Sequence, residues 1–259
     1  MRSDIKNRIG ERRMMNCGEE AEIIEYVNNS NITIKFLKTD ELIRCQYDSF
    51  KKGLIKSHFT PTVYGVGIVG LEKARYSSGE HIRSYDIWKN MLRRCYDEKH
   101  QEKYPTYIGC IVCDEWLHYK NFKKWYEDNY YEINNEKMCL DKDILVKGNK
   151  VYSPETCIFV PQNINSLFLK NNNSRGDLPI GVCWNKRDKK YQANCNIFNI
   201  ESNKYTYTYL GLYNTPEEAF EVYKKAKEEN IKLVANYYKD RIPNRLYDAM
   251  YKYEVHIDD

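Results

Sequence analysis

The 259 residues suffice for one large domain or several small ones, so core size is not limiting. With 42% hydrophobic and 30% charged residues and a mean hydropathy of −0.78, the chain reads as folded and polar, neither disordered nor membrane-spanning. A net charge of +4 identifies no partner. The N-terminus, MRSDIKNRIGERRMM, lacks the apolar stretch of a secretory signal, and nine scattered cysteines read as reduced thiols, which together predict a cytoplasmic protein. Tyrosine, 24 against 8 phenylalanines, has two readings: the residue usage of an AT-rich coding sequence, or a supply of stacking and phosphate-contacting groups.

Residues 1–70 read as a small β unit. Short β-prone runs at 21–26, 31–37 and 42–47 are separated by turn formers such as Asn28, Asn29 and Ser30, which predicts a small barrel or curled sheet. The apolar, glycine-rich stretch PTVYGVGIVG that ends this unit is too tight for a free linker and is expected to dock on the helical segment after it. In 71–170, Ser84 stands where it caps a helix with Ile87, Met91, Leu92 and Cys95 at helical spacing and Lys89, Arg93 and Arg94 opposite. A second helical pattern places Phe122, Trp125 and Tyr126 on one side. Residues 139–168 read as strand, loop, short strand and helix, the helix over 161–169. The polar run 171–174 with Gly176 is the best linker in the chain.

In 171–259 the pattern is sharper. Strands are predicted at 180–184, 191–197 and 205–210, the middle one alternating Tyr191, Ala193, Cys195 and Ile197 against Gln192, Asn194 and Asn196. Thr215, Pro216 and Glu218 spell a capping box with proline at the first helical position, opening a long helix through Phe220, Tyr223, Ile231, Val234 and Tyr238. Packing Phe220 and Tyr223 on one sheet face leaves the other open to solvent or a partner.

The charge is uneven along the chain. From Lys170 to Leu210 there are seven Lys/Arg against three acids, an excess equal to that of the whole protein, whereas 114–136 holds three lysines against six acids. A solvated charged hairpin would account for this. So would a β-ribbon reader of DNA, which needs cations for phosphates and amides such as Gln192 and Asn194 for base edges.

The residues IGVCWNKRDKKYQANCNI, followed by YLGLYNTPEEAFEVYKKAKEE, resemble the Apetala2/ethylene-response-factor DNA-binding domain over about 178–240. The shared pattern is G-V, an aromatic, a basic turn, Y-x-A-x-I in degenerate form, then Y-L-G with the T-P-E-E-A capping box. The resemblance implies a sheet that enters the major groove, with Trp184, Lys186, Arg187, Lys190, Asn194 and Tyr207 as contacts to double-stranded DNA. Asn and Tyr stand where plant members carry arginines.

The preceding block, about 80–170, resembles phage-type HNH homing endonucleases through Trp88, Met91, Arg94, Cys95, Cys113, Glu115, Trp116, Phe122, Trp125, then Leu140, Asp141 and Lys142, and finally Tyr152, Ser153, Pro154, Glu155 and Cys157. That resemblance implies a hydrolase with a ββα unit around one divalent metal, magnesium or manganese. Asp141 and Asp143 would be its oxygen ligands, Lys142 would stand at the histidine base, Asn149 would orient that base, and Thr156 would be the helix ligand. Arg93 and Arg94 would clamp phosphates. No histidine lies between His118 and His256, so the base that names the motif is missing. Beside two carboxylates Lys142 holds its proton and suits phosphate binding. Two readings result, a nuclease whose water is activated by Asp143 or the metal alone, and a DNA-binding remnant; His100 and His118 are rescuers only if the fold brings them near. Cys110-x-x-Cys113 is either half of a structural zinc site, completed by Cys95, Cys139 or Cys157, or a pair of buried thiols.

The expectation is therefore an α+β protein of three parts: an N-terminal β-barrel-like unit (1–70), a central HNH-like ββα core with flanking helices (71–170), and a C-terminal three-stranded sheet plus one long helix (171–259). Its partner would be double-stranded DNA in a cytoplasm, a host cell's if phage-encoded. A protein-interaction or inhibitor factor using tyrosine-rich surfaces is the rival outside nucleic acid.

Overall fold

A computed structural model describes residues 8–134, 136–169 and 177–259. The expected linker 171–174 with Gly176, and the basic residues Lys170 and Arg175, lie outside the described residues. The fold is mixed α+β, and no described helix is long and apolar enough to cross a membrane. The chain divides into two units, one of 1–128 with 150–153 and the other of 129–149 with 154–259, which run across the boundaries expected at 70 and 170.

The first unit opens with β1 (Arg12–Met14), β2 (Glu20–Asn28), β3 (Asn31–Phe36) and β4 (Leu42–Cys45), each pairing antiparallel with the next. The expected barrel is corrected to an open sheet. Its order is linear, and among the described residues β1 and β4 remain its two ends. The cause is α1 (Tyr47–Lys51), whose Tyr47 and Phe50 cover Ala21, Ile23, Ile32, Ile34 and Phe36, so the apolar face is buried without strand closure.

The next elements of this unit are α2 (Arg83–Tyr96), α3 (Glu98–Lys103), β5 (Ile111–Val112), α4 (Asp114–Leu117) and α5 (Tyr119–Asn129). Trp88, Met91, Leu92, Trp116, Tyr119 and Phe122 are buried, and the Trp88 indole N–H donates to the Trp116 carbonyl at 2.6 Å. Ser84 does not cap α2. The helix starts at Arg83 after an extended Ile82, and the Ser84 hydroxyl lies 2.7 Å from that of Tyr119 instead. The glycine-rich stretch docks as expected: a Cβ on Gly67 would come within 2.5 Å of Leu92 and 2.9 Å of Trp88.

In the second unit β6 (Met138–Asp141) pairs antiparallel with β8 (Ile158–Pro161), which runs into α6 (Gln162–Leu167). Between them lies β7 (Val151–Tyr152), which pairs in parallel with β5 and belongs to the first unit. Thr156, expected on the helix, falls in the turn before β8; the helix begins only after Pro161, where the buried strand Ile158–Pro161 has ended.

β9 (Val182–Asn185), β10 (Lys190–Asn199) and β11 (Lys204–Tyr213) form an antiparallel sheet of order β11-β10-β9, followed by α7 (Pro216–Tyr238) and α8 (Asn244–Tyr251). The capping box is formed: the Glu218 amide donates to Thr215 Oγ1 at 3.2 Å and the Thr215 amide to Glu218 Oε2 at 3.3 Å. α7 buries Ala219, Phe220 and Tyr223 against Val182, Ala193 and Cys195 of the sheet. Further along, its Ile231, Val234 and Tyr238 join Ile158, Val160 and Ile164 in a larger core with Leu246 and Met250 of α8. The expected nuclease-like strands and the C-terminal helix thus share one core.

Candidate nucleic-acid interface

The strand register decides which side chains share a face. Val182 pairs with Ala193 and Trp184 with Tyr191, so Trp184 stands on the face that carries α7, its ring 4.9 Å from that of Tyr191. The opposite face presents Cys183, Asn185, Lys190, Gln192, Asn194 and Asn196, with Tyr209 opposite Asn194 and Tyr207 opposite Asn196. A bulge between Ala193 and Asn194 keeps the two tyrosines on this side. Tyr207 and Tyr209 are 67% and 56% exposed, and Asn194 only 8%.

The amides on this face bond to one another. Asn185 Nδ2 donates to Gln192 Oε1 at 3.1 Å, Gln192 Nε2 to Asn194 Oδ1 at 2.8 Å, and Asn194 Nδ2 to the Cys183 sulfur at 3.5 Å. This fixes the rotamers of a polar row across the sheet. At its end the β9–β10 turn is built on Asn185 Oδ1, which accepts the amides of Arg187 and Asp188. Lys186, Lys189 and Lys190 are exposed at this turn. Arg187 pairs with Asp188 at 3.0 Å, and the guanidinium holds that carboxyl below its usual range. The sheet therefore brings together Lys186, Arg187, Lys190, Asn194 and Tyr207 and turns Trp184 away. Sequence reasoning misses Cys183, Asn185 and Tyr209 as residues of this face; pairing parity with Asn194 is the signal that finds them.

The Asp141 to Asn149 loop is folded on itself. Asp141 Oδ1 accepts the amides of Asp143 and Ile144 at 2.8 and 2.7 Å, and burial pushes its carboxyl above the usual carboxylate range, against those two hydrogen bonds. Lys142, 6% exposed, donates to both oxygens of Asp143 at 2.7 and 2.8 Å and to the Asn149 carbonyl at 2.7 Å. The Asn149 amide returns a bond to the Lys142 carbonyl at 2.9 Å. Lys147 ties the same loop to Asp259 at 2.7 Å. Lys142 is thus a staple of the loop, and Asn149 meets its backbone.

Arg93 and Arg94 belong to the first unit. Arg93 is exposed, and Arg94 lies over the Tyr107 ring at 5.4 Å. His100 stacks near Tyr104 and Tyr107, and burial followed by these two arginines lowers its pKa. Cys110 is buried with its thiol toward the Thr106 carbonyl. Among the described residues no three His, Cys, Asp or Glu side chains group to hold a metal ion, so neither Cys110 and Cys113 nor Asp141 and Asp143 gain a third such ligand.

Comparison with known protein families, with curated proteins and with solved structures finds no match to this chain.

Proposed function

We propose that this chain binds double-stranded DNA through the open face of the β9–β11 sheet. The observation that carries the reading is the row Asn185–Gln192–Asn194, flanked by Tyr207 and Tyr209 and ending at an exposed lysine turn. Lysines beside a turn neutralise phosphates, tyrosine hydroxyls bond to phosphate or sugar, and amides held in fixed rotamers read base edges in a groove that admits a two-stranded ribbon. Of the two families the sequence resembles, the sheet-and-helix DNA-binding module is the one this face supports.

Hydrolysis is the second reading, favoured by Asp143, an exposed carboxylate next to Asp141 in the order β6, loop, β8, α6. As arranged, this donor set does not fit magnesium or manganese: both Asp143 oxygens hold the Lys142 ammonium, and Asp141 Oδ1 holds two amides. We assign no catalytic step to it. Binding without cleavage is the proposed function.

Fluorescence anisotropy with a duplex pool across a salt series tests it. Four exposed lysines (186, 189, 190 and 204) give an expected log–log slope of about −3 to −4, at roughly −0.9 per phosphate neutralised. Absence of binding, or binding indifferent to salt, overturns the reading in favour of a protein partner. In the same preparation supercoiled plasmid stays uncut with magnesium or manganese. Nicking lost in Asp143→Asn would instead establish the nuclease.

A further inference from the structure

β9 has four residues and β10 has ten, so β10 runs on past Ala193 without a strand partner on that side. Where β9 stops, a cavity of about 510 Å³ opens, with Leu167, Cys195, Asn196, Tyr207, Tyr223 and Lys227 in its wall. That size lies within the range of roughly 300–1,000 Å³ typical of small-molecule sites. Its walls are mixed. Leu167 and the tyrosine rings are apolar surfaces for a flat ring, and the Asn196 side-chain amide has no hydrogen-bond partner among the described residues.

Lys227 sets the sign of the ligand. It projects from α7 on the buried stripe of Tyr223 and Ile231, and burial pulls its pKa below the ordinary lysine value. No carboxylate acts on it; the one titratable group bearing on it is the Cys195 thiol. Among the described residues its ammonium has neither a hydrogen bond nor an ion pair. A half-buried cation without an anion is costly, and a ligand that brings the anion recovers the cost.

We propose that this cavity is a binding site for a mononucleotide, with the phosphate on Lys227, the base between the apolar walls, and the Asn196 amide on a polar edge of the base. The site is independent of the DNA reading, because its ligand is a free nucleotide and it is lined from α6 and α7 as well as from the sheet.

The test uses the whole chain and deoxyadenosine monophosphate, with deoxyadenosine and inorganic phosphate as comparison probes, read by thermal shift and by calorimetric titration. The monophosphate is expected to raise the melting temperature by several degrees; deoxyadenosine, which lacks the anion, has no such effect, and inorganic phosphate, which lacks the ring, binds more weakly. Lys227→Met removes a buried amine, so the ligand-free protein melts no lower than wild type, while monophosphate affinity falls at least about tenfold. Lys225→Gln, an exposed change on the same helix, leaves affinity unchanged. Asn196→Leu, a second variant from the opposite wall, weakens the monophosphate more than inorganic phosphate. The proposal is overturned if the monophosphate neither stabilises nor binds, or if it binds wild type and Lys227→Met alike.

Discussion

Gly181→Ala is expected to lower the stability of the C-terminal sheet by about 3–4 kcal/mol. Gly181 has φ of +79°, a region that costs an L-residue about 1–2 kcal/mol. An added Cβ would also stand 2.0 Å from Cδ2 and 2.3 Å from Cγ of Tyr223, a buried ring in the core between α7 and the sheet. The ring must move, and overpacking of this kind costs about 1–3 kcal/mol. Moving Gly181 also strains the bond from the Asn194 amide to its carbonyl, 2.9 Å, which continues the pairing past β9. Gly148→Ala is the matched control: φ is +75° but nothing lies within 4 Å, so only the conformational part is lost. Urea unfolding of the two variants separates the contributions. Equal midpoints would show that Tyr223 yields without cost.

Asn230→Leu is the second large effect. Asn230 is 2% exposed on α7, where its Oδ1 accepts the Phe198 amide at 2.8 Å and its Nδ2 donates to the Asn196 carbonyl at 3.2 Å. One side chain thus does for the bare edge of β10 what a neighbouring strand does elsewhere. Leucine fills the space and leaves both backbone groups unpaired, at about 1–3 kcal/mol for each buried group. An expected loss of about 2–5 kcal/mol is a large part of an ordinary domain's stability. Asn230→Asp keeps the acceptor and loses the donor. Its cost grows as pH rises, because burial opposes ionisation of the new carboxyl. Chemical denaturation at pH 5 and pH 8 measures both substitutions, and a wild-type midpoint for Asn230→Leu would mean that the edge is satisfied by other groups.

Local rules make the C-terminal sheet and helix legible. Thr215, Pro216 and Glu218 act over four residues, and the alternation from Tyr191 to Ile197 is carried by a strand buried on one side. Interleaving with lysines makes Trp184 look like a DNA contact, although its two-residue spacing from Val182 already sets it on the helix side. Lys227 and Asn230 also sit on the apolar stripe of α7, between Tyr223 and Ile231, a spacing plain from the residue order alone. Their use is not plain from it, because it depends on β9 ending early. Non-local pairings escape altogether. β6 meets β8 across the loop 142–157, while β7 inside that loop pairs with β5, and no periodicity encodes such partners. The same holds for Lys142: its place beside Asp143 is local, but its burial against the Asn149 carbonyl requires the loop to close. α8 begins just after Pro243, a residue that marks the end of one helix without announcing the next.

Variants on the two sides of the β9–β11 sheet decide whether its open face is the DNA-binding surface. Duplex affinity is measured at one low salt concentration for wild type, for Lys190→Gln with Tyr207→Ala, and for Trp184→Ala. The expected result is a loss of at least about tenfold for the double variant, whose side chains lie on the open face, and near wild-type affinity for Trp184→Ala, which lies on the face of α7. The reverse outcome, with Trp184→Ala losing affinity and the open-face variant keeping it, would contradict the assignment.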